Sequence, residues 1–186
     1  MLLADVSGKG MPAALLGASL HASVRANAPA AGEHCGGVLA KANMLLFETT
    51  SSDRFATVFY GVYDTTNRTM SFANAGHYPP MLVRGGECIR LKSLTPPIGM
   101  LPTLPAVDDR VELQSGDWLL VFSDGIPEAE DEGGEEFGDE GLPTALAQAK
   151  DGSASEACRN IVETVRNHVR EQRQPDDITL IAIRVS

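Results

Sequence analysis

The sequence predicts an α+β chain in which two sheets lie between helical layers. Three observations predict it: helical apolar periodicity at the start, a run of short β-rich segments separated by turn signals in the middle, and helical periodicity again near the end. Leu2 to Val6 reads as a short apolar strand closed by the turn Ser7-Gly8-Lys9-Gly10. Pro12, whose fixed φ suits a first helical turn, opens a helix to about Ala26, with Leu15, Leu16, Ser19, Leu20 and Val24 near the 3.6 period. Asn27-Ala28-Pro29-Ala30-Ala31-Gly32 is expected to break it. A second helix, about Cys35 to Phe47, carries Val38, Leu39, Leu45 and Leu46 on its apolar side.

Strands are then expected at Ala56 to Tyr63, Thr69 to Ala73, Met81 to Val83, Cys88 to Leu91, Val111 to Leu113 and Asp117 to Phe122. Turn signals such as Asp64-Thr65-Thr66-Asn67 and Arg84-Gly85-Gly86-Glu87 make this a meander of hairpins. The acidic, glycine-rich stretch Glu128 to Glu140 is too charged for a core and reads as an exposed, mobile loop. Helices follow near Leu142 to Ala149 and Ser155 to Gln172, the second with Ile161, Val162, Val165 and Val169 along one stripe. Gln174-Pro175 ends it, and Ile178 to Val185 forms a last strand. No repeat, low-complexity linker or boundary divides the chain, so residues 1–186 are expected to be one domain.

Composition narrows the function classes. The 186 residues suffice for one substantial core, and 43% apolar with 22% charged residues is ordinary for a globular protein. A net charge of −10 argues against nucleic acid, whose phosphates are bound by Lys/Arg clusters. Cys35, Cys88 and Cys158 are odd in number and widely spaced, which signals neither a zinc site nor a disulfide framework, so a reducing cytoplasm is the simplest compartment. No segment approaches 18 apolar residues, so this segment predicts no membrane span.

Three acidic sites stand where strands meet loops: Asp5, Asp124 and the pair Asp176-Asp177. Singly, an Asp after a strand is most often a turn former or a helix N-cap. Converging, carboxylates would repel by roughly 4 kcal/mol per pair at 4 Å and an effective dielectric of about 20. Hard divalent cations such as Mg²⁺ and Mn²⁺ select such oxygen ligands and remove that cost. Ser7-Gly8-Lys9-Gly10 is not a P-loop, which needs Gly-x-x-x-x-Gly-Lys-Ser/Thr; it reads as a tight turn, or as a turn in which Gly8, Lys9 and the backbone N–H groups at the helix start hold phosphate. Ser123 lacks a Gly-x-Ser-x-Gly elbow and reads as a structural hydroxyl. His77 could protonate a leaving alkoxide, but a histidine that hydrogen-bonds its loop backbone is the commoner case.

Four segments carry a family resemblance: Asp5-Val6-Ser7-Gly8-Lys9-Gly10-Met11-Pro12-Ala13-Ala14-Leu15, Asn74-Ala75-Gly76-His77-Tyr78-Pro79-Pro80, Phe122-Ser123-Asp124-Gly125-Ile126-Pro127-Glu128-Ala129 and Asp176-Asp177-Ile178-Thr179-Leu180. In this order and spacing they resemble the metal-dependent (PPM, type 2C) protein phosphatases, in their SpoIIE-like bacterial branch. The resemblance implies a four-layer αββα sandwich of two mainly antiparallel sheets flanked by helices. It also implies two Mn²⁺ or Mg²⁺ ions in a complete site, with Asp5 bridging, the Val6 carbonyl as a second donor, and Asp124 and Asp176 completing the second ion. These three aspartates would be the catalytic set, with Asp177 and His77 supporting them. Two ions about 3.5–4 Å apart clamp a phosphate and lower the pKa of a bridging water, which suits direct water attack on a phosphoserine or phosphothreonine.

In this branch the substrate is typically a small phosphorylated anti-sigma-factor antagonist, and an upstream sensor or regulatory domain supplies the input. Family members usually carry an earlier strand pair with a Gly-Gly-Asp type motif and a further ligand, so the domain is expected to be N-terminally incomplete and weakly active alone. The open strand edge would then invite a homodimer. The alternative reading is a catalytically silent module of the same fold that receives or transmits a signal. A third, hydrolysis of a small phosphoester, finds no base-stacking or ribose-binding pattern.

Overall fold

The computed structural model describes residues 1–51, 54–92, 95–149, 152–170 and 176–186. In chain order the elements are β1 (Leu2–Val6), α1 (Met11–Ala31), α2 (Cys35–Thr49), β2 (Ala56–Asp64), β3 (Thr69–Ala75), β4 (Met81–Arg84), β5 (Glu87–Arg90), β6 (Asp109–Glu112), β7 (Trp118–Phe122), α3 (Gly138–Ala147), α4 (Ala154–Val169) and β8 (Leu180–Arg184). They form two four-stranded antiparallel sheets and four helices, the α+β class expected. The chain divides into two compact units that interleave in sequence: Met1–Pro79 with Lys92–Leu113, and Pro80–Leu91 with Gln114–Ser186.

The first unit holds the sheet β1-β2-β3-β6, with α1 on α2 and α2 against β2 and β3. Leu16, Leu20 and Val24 of α1, Val38, Leu39, Ala42 and Leu46 of α2, and Ala56, Val58 and Tyr60 of β2 share one core. Burying a Leu of this kind contributes about 2 kcal/mol. Two expected core residues are exposed: Leu15 at 62% and Leu45 at 42%. Each lies one residue, about 100° of helical rotation, from the stripe that packs inward. In place of Leu45 the inward face of α2 takes Asn43, which is fully buried because its amide donates to the Leu101 carbonyl at 3.0 Å and accepts from the Gly99 N–H at 2.8 Å.

Helix α1 also runs past the expected break to Ala31, with Pro29 inside it. Ala28 and Ala31 pack against the core, and that packing outweighs the local signal of the proline.

The second unit holds the sheet β5-β4-β7-β8, with α4 against β8 and α3 against α4. Every residue of β7 is buried. Ile161, Val165 and Val169 of α4 are buried as the stripe predicts, while Val162 is half-buried. A capping box starts α4: Ser153 Oγ accepts from the Glu156 N–H at 3.2 Å and the Glu156 carboxylate accepts from the Ser153 N–H at 2.7 Å. The expected end of this helix near Gln172, and the Gln174-Pro175 stop, lie outside the described residues.

The middle of the chain is not a simple meander. Hairpins β2-β3 and β4-β5 fall in different sheets, β6 returns to pair with β3, and β7 pairs with β4. Local turn signals specify each hairpin but not the long connection from Leu91 to Asp109 that carries the chain back to the first sheet.

Candidate active site

In the first unit, β1 delivers Asp5 and Val6 opposite Thr57 and Ala56 of β2. Antiparallel partners have Cβ atoms about 4.5–5.5 Å apart on one face, so Thr57 is the cross-strand neighbour of Asp5. The strand end is pinned by Ser7, whose N–H donates to the Phe55 carbonyl at 2.9 Å and whose Oγ accepts from the Phe55 N–H at 2.9 Å. The chain then turns through Gly8 and exposed Lys9 into α1. Gly8 has φ +89°, a left-handed conformation that favours glycine, and the Arg54 guanidinium lies beside it.

His77 is 4% exposed, and its Nδ1 bonds the Thr57 hydroxyl at 3.0 Å. Its backbone is held by Asn74, whose Oδ1 accepts from the His77 N–H at 2.8 Å and whose amide donates to the His77 carbonyl at 3.0 Å. The ring meets the hydroxyl of the residue opposite Asp5, and Asn74 bonds the His77 backbone.

In the second unit, β7 ends at Phe122 and β8 starts at Leu180, paired in register, so the segments beyond them meet. Ser123 is the clasp. Its N–H donates to the Thr179 carbonyl, its Oγ accepts from the Thr179 N–H, and its hydroxyl donates to the Asp177 carbonyl, each at 3.0 Å. This is the structural hydroxyl the sequence predicts. Gly125 lets the two loops touch: a Cβ there would lie 2.6 Å from the Asp177 carbonyl oxygen and 3.5 Å from the Asp176 carbonyl carbon. Asp124 and Asp176 are thereby brought to one end of this sheet, and the Asp177 N–H donates to the Asp176 Oδ1 at 2.8 Å. Asp177 thus orients its neighbour through its backbone.

Glu128 belongs to the same cluster. Its N–H donates to the Asp124 carbonyl at 3.0 Å, and its carboxyl is pushed above the ordinary range by burial first and then by the charges of Asp124, Glu136 and Asp176. A hard cation would relieve the charge part of that field, and the candidate donors are oxygens. Among the described residues, no group of three or more His, Cys, Asp or Glu side chains is placed so that it could hold a metal ion, so Asp124 and Asp176 would need further ligands.

The acidic loop is exposed from Glu132 to Glu136, as expected, and carries its own hydrogen bonds. The Asp131 carboxylate accepts from the Gly133 N–H at 2.7 Å and the Glu135 N–H at 3.0 Å. The Phe137 N–H donates to the Ala129 carbonyl at 2.7 Å, and the His168 ring of α4 meets the Glu135 carbonyl at 2.9 Å. At the loop's far end Arg90 pairs with Asp139 and lies 5.3 Å over the Phe122 ring.

Thr57 and Arg54 gave no sequence signal. Their relation to Asp5 exists only once β1 and β2 are in register. Cys35 is buried and its thiol is pushed up to about 11 by burial and then by Asp108, so it offers no thiolate. No described helix is long and apolar enough to cross a membrane.

The family model described as Stage II sporulation protein E matches residues 1–186. Phosphoserine phosphatase RsbU of Bacillus subtilis is 28% identical over 185 residues, covering 98% of this chain and 54% of RsbU; the chain spans about half the length, or less, of the curated relatives it matches. The SiaA-PP2C domain of Pseudomonas aeruginosa superposes with a TM-score of 0.87 at 22% identity, over 100% of this chain and 75% of that one. The catalytic domain of the serine/threonine phosphatase PstP, solved with 2 manganese ions, gives 0.74 at 15% identity, over 100% of this chain and 87% of its own. These two likenesses show the fold, and the family match extends over the whole chain: it belongs to the Stage II sporulation protein E (SpoIIE) family and has the fold of these phosphatase domains.

Proposed function

We propose that this domain hydrolyses phosphoserine or phosphothreonine on a protein substrate, by direct attack of a water assisted by Mn²⁺ or Mg²⁺. The observation that supports the reading is the clasp of Ser123, Asp177 and Gly125, which brings the segments bearing Asp124 and Asp176 to one end of the second sheet, within a chain matched by the family model from end to end. Bound divalent ions would supply charge neutralisation on the phosphoryl oxygens and a water acidified to near neutral pKa. Asp124 and Asp176 would be ligands of such an ion, Asp5 and the Val6 carbonyl would be further oxygen donors, and the Thr57 hydroxyl is the cross-strand neighbour of Asp5. His77, held by Thr57 and Asn74, keeps that hydroxyl oriented. We assign phosphate contacts to Lys9 and the Gly8 turn, which precede the start of α1.

The name of RsbU, a phosphoserine phosphatase, supports phosphoserine as the bond cleaved, and the two manganese ions of PstP support two ions per site. The phosphoprotein we propose is a small anti-sigma-factor antagonist, with a regulatory domain elsewhere in the parent protein governing access to it. Phosphate release from a phosphorylated antagonist and from a phosphoserine peptide, with Mn²⁺ and with chelator, tests the reading. Release that requires the metal is expected; release that persists in chelator, or none from any phosphoserine substrate with saturating Mn²⁺ in the full-length protein, overturns it.

A further inference from the structure

We infer that a cleft at the other end of the second sheet from Asp124 binds a small organic carboxylate with an apolar body, a site that stands independently of the phosphatase reading. The cleft has a volume of about 730 Å³, within the roughly 300–1,000 Å³ of small-molecule pockets. It lies where β7 begins, at Trp118, whereas Asp124 follows the opposite end of that strand at Phe122. Four residues of extended chain put those two ends about 13 Å apart. Trp118 and, from α3, Leu146 and Ala147 give the cleft apolar walls, with Trp118 and Leu146 buried. Gly85, Gly86 and Gly116 line it as well, and a Cβ on any of them would meet nothing within 4 Å, so the space beside these turns is open.

The charged groups of the lining are Arg84, Asp117 and Arg184. Asp117 accepts the forked bonds of Arg84, so those two charges answer one another. The guanidinium of Arg184 lies 5.6 Å over the Trp118 ring and its Nη1 donates to the Gly152 carbonyl at 2.7 Å; among the described residues no carboxylate pairs with it. The lining thus carries one more positive charge than negative, in a chain whose net charge is −10. Stacking on an aromatic ring occupies the flat face of a guanidinium and leaves its in-plane N–H edge, which matches the two oxygens of a carboxylate. A carboxylate monoanion balances the single excess charge, and a phosphate dianion would overshoot it. An apolar body on that carboxylate takes the surface of Ala147 and the wall beside it out of water.

Trp118 is the single tryptophan of the 186 residues, so its indole N–H resonance in the nitrogen-labelled chain reports on the cleft without background. Titration with naphthoate is expected to move that resonance saturably, with a Kd below about 1 mM. Naphthamide, similar in shape but uncharged, is expected to bind at least tenfold more weakly. Two variants separate the charge from the space: R184M removes the guanidinium and keeps an apolar stem, and A147F fills the cleft and keeps the guanidinium. Both positions are exposed, so neither change cuts into the core. Each should weaken naphthoate at least tenfold, and R184M should abolish the preference over naphthamide. If R184M fails to fold, A147F and the comparison of the two probes carry the test. No saturable shift with naphthoate up to about 10 mM, equal affinity for naphthoate and naphthamide, or naphthoate binding within twofold of wild type in the folded variants overturns the assignment.

Discussion

The strand ends that carry the acidic residues are built differently in the two units. Around Asp5 hydrogen bonds join the neighbouring polar groups: Ser7 and Phe55 exchange hydrogen bonds, Thr57 bonds the His77 ring, and Asn74 brackets the His77 backbone. At the end of the second sheet the hydrogen bonds chiefly tie one loop to the other. Ser123 and Gly125 clamp the loops together, while Asp124, Asp176 and Glu128 press like charges into one region. The first arrangement uses hydrogen bonds to hold a shape; the second keeps a shape that stores repulsion for a cation to relieve. Removing a polar group should therefore destabilise the first unit, and removing a charge from the acidic end of the second should not.

The largest expected effect is on that acidic end. Asp124→Asn or Asp176→Asn should lower Mn²⁺-dependent phosphate release by about 10²-fold through weakened metal affinity. The metal-free melting temperature should hold or rise, since a repelling charge has gone. Full activity of Asp124→Asn at saturating Mn²⁺ would remove it from the ligand set, and a lower melting temperature would break the comparison itself.

Next in size is a control within the second unit where a carboxylate does serve stability. Asp117 is 2% exposed and takes a forked pair of bonds from Arg84, with a further bond from the Gln114 N–H at 2.7 Å. Burial pushes its carboxyl up, but the Arg84 and Gln114 bonds outweigh burial and hold it below the ordinary range. Asp117→Asn takes away the charge onto which Arg84 forks and should cost roughly 3 kcal/mol, or about 6–12 °C in melting temperature. Because the folded value is the depressed one, this stability is present above the unfolded carboxylate value near 4 and is lost as pH falls through the lower folded value. The gap between wild type and Asp117→Asn in thermal melts should shrink below about pH 4; a gap that stays constant to pH 2 would refute the ion-pair account.

Thr57→Val tests the first unit. Losing the hydroxyl under the His77 ring should cost about 1–2 kcal/mol, with Thr57→Ser restoring most of it. Melting temperatures of the pair decide it, and a neutral Thr57→Val would mean that the hydrogen bonding around Asp5 is not what holds that end. The smallest effect belongs to the start of α4, far from both strand ends in sequence. Ser153→Ala removes one half of the capping box and should cost about 1 kcal/mol, near 3 °C, with no change in phosphate release.

Much of the architecture is legible in the order of residues along the chain. Periodicity marks every strand and helix, because the apolar stripe of a helix and the short β-branched runs between turn residues are local patterns that local physics reads. The acidic residues at strand ends are legible for the same reason, since Asp124 and Asp176 each stand beside an apolar run. What local patterns do not contain is partnership. That Leu15 and Leu45 face outward while Asn43 turns in, that Pro29 rides inside α1, and that β6 and β7 return to different sheets are consequences of which faces find something to pack against. Thr57 beside Asp5, Arg54 over Gly8 and Asp177 against Gly125 are pairs separated by 46 to 52 residues, set by strand register and by the space a missing Cβ leaves. Sequence alone thus determined which residues could do the chemistry, because their types and local settings are written in order along the chain. Only the tertiary structure decided which of them meet, because contact between distant segments depends on pairing and packing that no local pattern encodes.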